Sequence, residues 1–194
     1  MRIVGGRHRG RRLFAPQGDA VRPTSDRARE ALFNILSHGR FAASGLPFAG
    51  KSVLDGFAGT GALGLEALSR GAGAAVFFEI ERDTLSALRR NIATLGEEDS
   101  VHVVAGDATR PPRAAMRCAV AFLDPPYGSG LAAPALTALA SASWLTEDAL
   151  AVVEVAAREP LPVPAGFGLI DERVYGAARL IFLRREATAS GEQR

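Results

Sequence analysis

From Lys51 to Val155 the chain alternates between short apolar runs and segments with helical spacing. Strands that alternate with helices pair in parallel, because each crossover helix returns the chain to the same end of the sheet. The pattern therefore predicts an α/β fold with a mostly parallel sheet. Its predicted elements are strand Ser52–Asp55, helix Gly61–Ser69, strand Ala74–Glu79, helix Asp83–Leu95, strand Val101–Ala105, strand Ala119–Asp124, helix Ala132–Ala142 and strand Leu150–Val155.

The C-terminal region departs from this alternation. Two strand-like runs, Gly168–Tyr175 and Ala178–Arg184, follow each other with only Gly176 and Ala177 between them. So short a connection predicts an antiparallel finish to the sheet, because parallel strands need a long crossover.

The N-terminal region also lies outside the alternation. Residues 1–16 contain two short apolar stretches separated by glycines, which predicts a small hairpin. Helical spacing then predicts a helix ending near Leu36, with Thr24 or Ser25 as its N-cap. We predict three parts: an N-terminal basic hairpin and helix (1–45), the α/β domain (46–186) and a disordered tail (187–194).

Positive charge is concentrated at the N-terminus. The net charge is +2, but residues 1–30 hold eight arginines against three acidic residues, a balance of +5. The remaining residues 31–194 therefore carry −3. A basic arm on a mildly acidic body predicts a polyanionic partner.

Several classes of protein are disfavoured by composition. The sequence contains no run of 18 apolar residues, so we predict no membrane span. It also has no apolar segment after its first arginines, so we predict no secretory signal. The single cysteine, Cys118, allows no internal disulfide and is expected to be buried. Three scattered histidines predict no metal site. We therefore expect a cytoplasmic protein without a bound metal.

A glycine-rich turn joins the first predicted strand to a helix. Gly59, Gly61 and Gly64 match the spacing of the dinucleotide-binding fingerprint, and Glu79 follows Gly59 by twenty residues. Glycines at such a turn let the backbone approach a ligand closely, beside the free N–H groups of the helix N-terminus.

Carboxylates follow four predicted strands, at the edge where open α/β sheets bind ligands. A carboxylate at Asp55 would repel a pyrophosphate but would pair with a cationic amino-acid group. The favoured ligand is therefore S-adenosylmethionine, which has an amino-acid end, a ribose and an adenine but no phosphate. The predicted contacts are Asp55, Phe57, Ala58, Gly59 and Gly61 for the methionine part, Glu79 (or Glu81) for the ribose, and Asp107 with Ala108 for the adenine.

The tetrapeptide Asp124-Pro125-Pro126-Tyr127 follows a predicted buried strand. Two prolines remove two backbone N–H donors and make the turn rigid. A carboxylate before the turn and an aromatic ring after it form a clamp for a flat group that carries an amine. A nucleobase is such a group. Glu154 also ends a predicted strand; it is a candidate for lining the site, but a structural role is favoured.

The chain resembles the small-subunit (16S) ribosomal RNA guanine-N2 methyltransferases, the RsmD family, from Met1 to about Arg185. The residues that carry this resemblance are Arg22-Pro23-Thr24, the helix segment Arg29–Leu36, the glycine segment with its continuation Asp55–Ala72, Asp124–Tyr127 and Tyr175-Gly176. The chain departs from the family pattern at Gly56, where a bulky apolar residue is usual, and in the last residues of the segment Phe77–Asp83.

This resemblance implies a Rossmann-like class I methyltransferase fold with S-adenosylmethionine as donor and S-adenosylhomocysteine as product. The implied target is a guanine N2 amine of 16S rRNA in the assembled or assembling small subunit, and we expect a monomer. The Asp124 carboxylate and the Pro125 carbonyl would accept the two N–H bonds of the amine, while Tyr127 stacks on the base. Whether Asp124 also takes the departing proton stays open.

The basic arm is the predicted contact for the RNA backbone. Its residues are Arg2, Arg7, Arg9, Arg11, Arg12 and Arg22. Thr24 is expected either to cover the cofactor or to cap the following helix.

Three other functions remain open at this stage. A DNA adenine-N6 or cytosine-N4 methyltransferase would use a similar clamp, although the chain has no obvious DNA-recognition domain. The glycine spacing alone also fits an NAD-dependent oxidoreductase. A non-catalytic RNA-binding factor could have kept the same fold.

Overall fold

The computed structural model describes residues 1–16, 26–43 and 45–186, and these form one sheet flanked by helices. The helices are α1 (Asp26–Leu36), α2 (Ala62–Ser69), α3 (Arg82–Leu95) and α4 (Ala132–Ser141), with two 3-10 turns at Gly39–Phe41 and Glu98–Ser100. The strands are β1 (Ser52–Asp55), β2 (Ala74–Glu79), β3 (Val101–Ala105), β4 (Cys118–Leu123), β5 (Leu145–Ala156), β6 (Phe167–Tyr175) and β7 (Ala178–Arg185).

The seven strands are ordered β3-β2-β1-β4-β5-β7-β6. All pairs from β3 to β5 are parallel, whereas β7 is antiparallel to both of its neighbours. The predicted mostly parallel sheet with an antiparallel C-terminal strand is confirmed. Strands β2 and β3 lie on one side of β1, and β4 lies on the other side. The chain therefore changes direction across the sheet at β1, and ligands of open α/β sheets bind at such a switch point.

The largest difference between a predicted and an observed boundary is in β5, while the other differences amount to one residue. Strand β5 begins at Leu145, five residues before the predicted start at Leu150. The polar pair Glu147-Asp148 interrupts the apolar pattern, but Leu145 still pairs with Cys118 of β4 across a register irregularity. Backbone pairing with a neighbouring strand, which the periodicity of a single segment does not report, therefore sets this boundary.

Two hydrophobic clusters cover the two faces of the sheet. The first contains Val53 and Phe77 and is covered by α1, α2 and α3, and the second contains Leu54 and Trp144 and is covered by α4. Trp144 is a core residue, and its indole N–H donates to the Pro112 carbonyl at 2.8 Å. Cys118 is buried as expected, and burial raises the pKa of its thiol to about 12.

The predicted N-terminal hairpin is present as a short antiparallel pairing. Ile3 N–H donates to the Arg11 carbonyl at 2.9 Å, and Leu13 N–H donates to the Met1 carbonyl at 3.1 Å. The hairpin turn packs so closely on the end of α2 that a Cβ at Gly6 would lie 1.8 Å from the Ser69 carbonyl oxygen. This contact joins the hairpin to the helix that follows the glycine-rich turn.

A buried ionic cluster lies under the hairpin. Glu66 of α2 and Arg29 of α1 are both fully buried, with 3.7 Å between Nε and Oε2. Glu66 also accepts hydrogen bonds from the Arg70 side chain at 2.6 Å and from Val4 N–H at 2.8 Å. Arg29 donates to the Arg2 carbonyl. One carboxylate therefore links α1, α2 and the hairpin.

Parts of the sequence predictions fall outside the described residues. These are the cap residues Thr24 and Ser25, the arm residue Arg22 and the tail 187–194. Within the described part of the chain, no helix combines the length and the apolar character needed to span a membrane. The division into parts at residues 45 and 186 stays a prediction.

Candidate functional site

Acidic side chains end adjacent strands and form a row along one edge of the sheet. In spatial order, this acidic row is Glu79 at the end of β2, Asp55 at the end of β1, Asp124 directly after β4, and Glu154 near the end of β5. The register explains the alignment, because Asp55 pairs with Phe122 of β4, and Leu123 pairs with Val153 of β5. The structure therefore brings together the predicted groups Asp55, Glu79 and Asp124.

Asp55 is the buried member of the acidic row. Its Oδ2 accepts the N–H of Gly64 in α2 at 3.1 Å. The pKa of Asp55 is raised to about 7, mainly by burial and also by the negative charges of Asp124 and Glu79, while hydrogen bonds from the backbone N–H groups of Gly64 and Phe57 act in the opposite direction. The electrostatic effect of Asp124 and Glu79 on Asp55 is consistent with the three carboxylates lying close together at the ends of adjacent strands. A cation placed among them would offset both the burial and the repulsion.

Glu79 holds the glycine-rich turn in place. Its carboxylate accepts three backbone N–H groups, from Gly59 at 2.8 Å, Ile80 at 2.8 Å and Glu81 at 2.7 Å. Glu81 is exposed and occupies the N-cap position of α3. Of the two predicted ribose ligands, Glu79 is therefore the one in contact with the glycine-rich turn.

The three glycines of the turn have different roles. Gly59 and Gly61 have φ of 55° and 84°, the left-handed region that favours glycine. A Cβ at Gly59 would meet open space, so this backbone is accessible to a ligand. A Cβ at Gly64 would lie 2.3 Å from the ring of Phe77, so the third glycine lets α2 pack on β2.

The predicted adenine contacts lie at the end of β3. Gly106 N–H donates to the Glu79 carbonyl at 3.0 Å, which joins this segment to the acidic row. The Asp107 carboxylate accepts the N–H of Thr109 at 2.8 Å within its own turn. Ala108 is buried in the second core cluster. Ile80, which the sequence analysis did not single out, has a side chain 67% exposed beside Glu79.

The proline turn lies beside the start of the glycine-rich turn. Gly56 N–H donates to the Phe122 carbonyl at 2.9 Å, and a Cβ at Gly56 would lie 2.6 Å from Leu123. The departure from the family pattern at Gly56 therefore coincides with close packing of Leu123. Asp124 is partly exposed, Pro125 is buried and Pro126 is exposed.

Two carboxylates hold the end of the proline turn. For Glu154 a structural role was favoured over one at the site, and Glu159 was not anticipated from the sequence. The Tyr127 hydroxyl donates to Glu154 Oε1 at 2.9 Å, and Gly128 N–H donates to Glu159 Oε2 at 2.9 Å. The position of Glu154 near the end of a strand was the one feature of the sequence that could have indicated its role at the site. Nothing in the sequence indicates a contact between Glu159 and Gly128.

The predicted RNA-binding arginines differ in their surroundings. Arg7 makes a bidentate ion pair with Glu97, which also contacts His8 Nε2 at 2.5 Å. Burial would raise the pKa of Glu97, but hydrogen bonds from Arg7 and His8 hold it below its usual value. Arg11 donates to the Thr94 carbonyl at 2.6 Å. The hairpin is thus pinned to the end of α3.

The other described arm residues, Arg2, Arg9 and Arg12, are exposed. The side chains of Arg9 and Arg12 make no hydrogen bond or ion pair with the described residues. Arg2 takes part in a further interaction within the protein. Arg9 and Arg12 are therefore the arm residues whose charge is most available to a partner.

A buried amide, not anticipated from the sequence, joins the hairpin to the glycine-rich turn. Asn91 of α3 donates to the Thr60 carbonyl and to the Phe14 carbonyl, each at 2.9 Å, and accepts the N–H of Phe14 at 2.7 Å. Among the described residues, no group of three or more His, Cys, Asp and Glu side chains could hold a metal ion.

Sequence comparisons identify relatives over nearly the whole chain. A family model described as conserved hypothetical protein 95 matches residues 1–184. Ribosomal RNA small subunit methyltransferase D of Escherichia coli K12 is 36% identical over 193 residues, covering 99% of this chain and 93% of that protein. The protein of the same name from Haemophilus influenzae is 35% identical over 181 residues, covering 91% and 89%.

Solved structures share the architecture. The Escherichia coli protein yhhF has a TM-score of 0.81 at 38% identity, covering 97% of this chain and 99% of its own. An RNA methyltransferase from Salinibacter ruber has a TM-score of 0.64 at 13% identity, covering 89% and 99%, and supports the fold alone. The Rossmann-like class I methyltransferase fold is thus confirmed. By family model, sequence identity and fold, the chain belongs to the family of the small-subunit ribosomal RNA methyltransferases D.

Proposed function

We propose that this chain transfers a methyl group from S-adenosylmethionine to the N2 amine of a guanine in small-subunit rRNA. The observation that carries the proposal is that the glycine-rich turn and the proline turn follow paired strands: Asp55 pairs with Phe122 of β4, and Gly56 N–H donates to the Phe122 carbonyl at 2.9 Å. A methyl donor and an acceptor base bound at these two turns would be neighbours. The named relatives are rRNA methyltransferases.

The residues around the glycine-rich turn fit the proposed donor. Asp55 is a buried carboxylate whose ionisation is opposed by its surroundings, so a cationic amino-acid group would stabilise it. Gly59 offers accessible backbone, and Glu79 lies against it for the ribose hydroxyls. We assign Ile80 and the Asp107-Ala108 segment to the adenine, with Ile80 supplying apolar contact. The Salinibacter ruber structure contains S-adenosyl-L-homocysteine.

Bound S-adenosylmethionine supplies an electrophilic methyl group, and the proline turn prepares the amine. The lone pair of guanine N2 is delocalised into the ring, so the amine is a poor nucleophile. Hydrogen bonds to Asp124 and to the Pro125 carbonyl orient the amine and stabilise the positive charge that develops on nitrogen. Tyr127 stacks on the base, which contributes about 1–3 kcal/mol and offsets part of the cost of extruding the nucleotide.

The partner follows from the basic arm and from the relatives. The hairpin is a rigid platform, pinned by Arg7 and by the buried Glu66, and it presents exposed arginines to the RNA backbone. We assign the substrate as 16S rRNA within the small subunit or an assembly intermediate, bound by a monomer.

Loss of the gene is expected to leave one guanine of 16S rRNA unmethylated. Returning the wild-type gene should restore the methylation of that guanine. Mass spectrometry of nucleosides and fragments from rRNA and from genomic DNA of the two strains measures this. Unchanged rRNA with loss of a modified adenine or cytosine in DNA would contradict the proposal and favour the DNA methyltransferase alternative.

The affinity for S-adenosylhomocysteine is expected to rise roughly tenfold from about pH 6 to about pH 8. Asp55 ionises near pH 7 in the free protein, and only its ionised form pairs with the ligand ammonium group. By the same linkage, free-protein stability should fall as pH rises from about 4 to about 7, because the folded state holds the proton more tightly than the unfolded state. Calorimetric titration measures the affinity.

Asp55→Asn is the control for this pH dependence. The neutral side chain should bind the ligand more weakly, and its affinity should not change between the same pH values. A wild-type affinity that is flat across this range would contradict the assigned role of Asp55.

Removing Arg9 and Arg12 together is expected to weaken binding to the small subunit and to flatten its salt dependence. Each lost phosphate contact lowers the slope of log K against log salt by about 0.7–0.9. Arg173→Ala is a matched control, because Arg173 is paired with Asp171 on the edge strand β6. Filter binding at several salt concentrations measures the slope, and an unchanged slope in the double variant would remove these residues from the interface.

A further inference from the structure

We infer that Glu154 is a positioning residue that holds the ring of Tyr127 where the extruded base must stack. The inference rests on the proposed function and extends its site to a fifth strand, β5. The Tyr127 hydroxyl donates to Glu154 Oε1 at 2.9 Å. A hydrogen bond to an ionised acceptor is about twice as strong as a neutral one, so this contact restrains the ring effectively.

Tyr127 is partly exposed, and it belongs to neither hydrophobic cluster of the sheet. Its neighbours Pro126 and Gly128 are both exposed. The prolines set the backbone before the ring but do not fix the side-chain torsions of Tyr127. The hydrogen bond to Glu154 restrains those torsions, together with a further interaction of Tyr127 within the protein.

Glu154 itself stands on a rigid element. Strand β5 lies between β4 and β7, and Glu154 pairs with Leu180 of β7. Its neighbours Val153 and Val155 are buried. A site built on a central strand is held more precisely than one built on a loop. Burying part of the Glu154 carboxylate costs desolvation free energy, whereas an apolar residue at this position would not carry that cost.

The register places Glu154 next to Asp124. Leu123 and Val153 are paired, so the following residues, Asp124 and Glu154, stand side by side at the edge of two adjacent parallel strands. Strands are about 4.8 Å apart, a distance at which two carboxylates repel each other. A donated hydrogen bond from Tyr127 reduces this cost for Glu154. The arrangement therefore assigns Asp124 to the amine and Glu154 to the ring.

A second carboxylate supports the same turn. Glu159 Oε2 accepts the N–H of Gly128 at 2.9 Å and that of Ala156 at 3.3 Å. The backbone after Tyr127 is thus tied to the end of β5 as well. The turn is held at two points, one on the tyrosine side chain and one on the next backbone amide.

Four variants separate positioning from other roles of Glu154. Glu154→Met and Tyr127→Phe each break the hydrogen bond while keeping side-chain size, and Glu154→Gln keeps an acceptor oxygen but removes the charge. We expect Glu154→Met and Tyr127→Phe each to lower the single-turnover rate on the small subunit about tenfold. The double variant should be no slower than either single variant, because both remove one interaction. Glu154→Gln should stay within about threefold of wild type.

The readouts separate this role from a general loss of structure. Affinities for S-adenosylhomocysteine and for the small subunit should stay within about twofold of wild type in all four variants. Glu172→Gln, which alters an exposed ion pair on β6, is the matched control and should leave the rate unchanged. Additive losses in the double variant, or a Glu154→Gln loss as large as that of Glu154→Met, would overturn the inference. Inactive wild-type protein would instead overturn the proposed function.

Discussion

Replacing Asp124 with alanine is expected to lower the rate of methyl transfer by about 100- to 1000-fold. The variant loses the acceptor that orients the amine and opposes its developing positive charge. Binding of S-adenosylhomocysteine should survive, because Asp55 and Glu79 hold the glycine-rich turn independently of Asp124. Single-turnover transfer to the small subunit measures the first effect, and calorimetric titration measures the second.

The same variant reports on the geometry of the site. The negative charge of Asp124 raises the pKa of Asp55, so its removal should move the pH dependence of ligand affinity to lower pH. Asp124→Asn is the matched control for chemistry, because it keeps one acceptor oxygen and should lose less activity than the alanine variant. Undiminished turnover in Asp124→Ala would exclude the proposed role of the proline turn.

Replacing Glu66 with leucine is expected to lower the free energy of unfolding by about 3–5 kcal/mol. Arg29 and Glu66 are both fully buried, so the change leaves a buried guanidinium without its carboxylate. Val4 N–H and the Arg70 side chain lose an acceptor in the same step. Denaturant unfolding measures the loss, which is a large part of the stability of a typical domain.

A second substitution tests this explanation. Combining Glu66→Leu with Arg29→Met removes both charges, and apolar side chains of similar size should recover part of the lost stability. Glu66→Gln keeps an acceptor for Val4 and should be less damaging than the leucine variant. A loss below about 1 kcal/mol in Glu66→Leu would contradict a structural role for the cluster.

The local sequence pattern was sufficient to predict features that depend on neighbouring residues in the chain. The apolar runs of β1, β2 and β3 match the observed strand limits. Strands β1 and β2 are mostly buried, and β3, at the edge of the sheet, is partly exposed. Trp144 and Cys118 are buried, as is common for aromatic and thiol side chains. Gly59 and Gly61 have the left-handed conformation that makes a glycine-rich turn recognisable.

The local sequence pattern was not sufficient to predict contacts between side chains from distant segments of the chain. The predicted RNA contact of the arm stays a prediction, but the sequence did not indicate that Arg7 forms an ion pair with Glu97, ninety residues away. A structural role was favoured for Glu154, and its hydrogen bond to Tyr127 was not anticipated because it depends on the order of β4 and β5. Glu79 and Glu81 could not be distinguished until the glycine-rich turn was folded against one of them.

The sequence by itself determined the α/β class, the strands that end in carboxylates and the family to which the chain belongs, because each depends on residue types at short spacing. Only the tertiary structure decided that Asp55, Glu79, Asp124 and Glu154 stand in one row, and which charges are already paired within the protein. Strand order and register are long-range properties. They arise from how helices cover both faces of the sheet, and no short segment of the sequence contains that information.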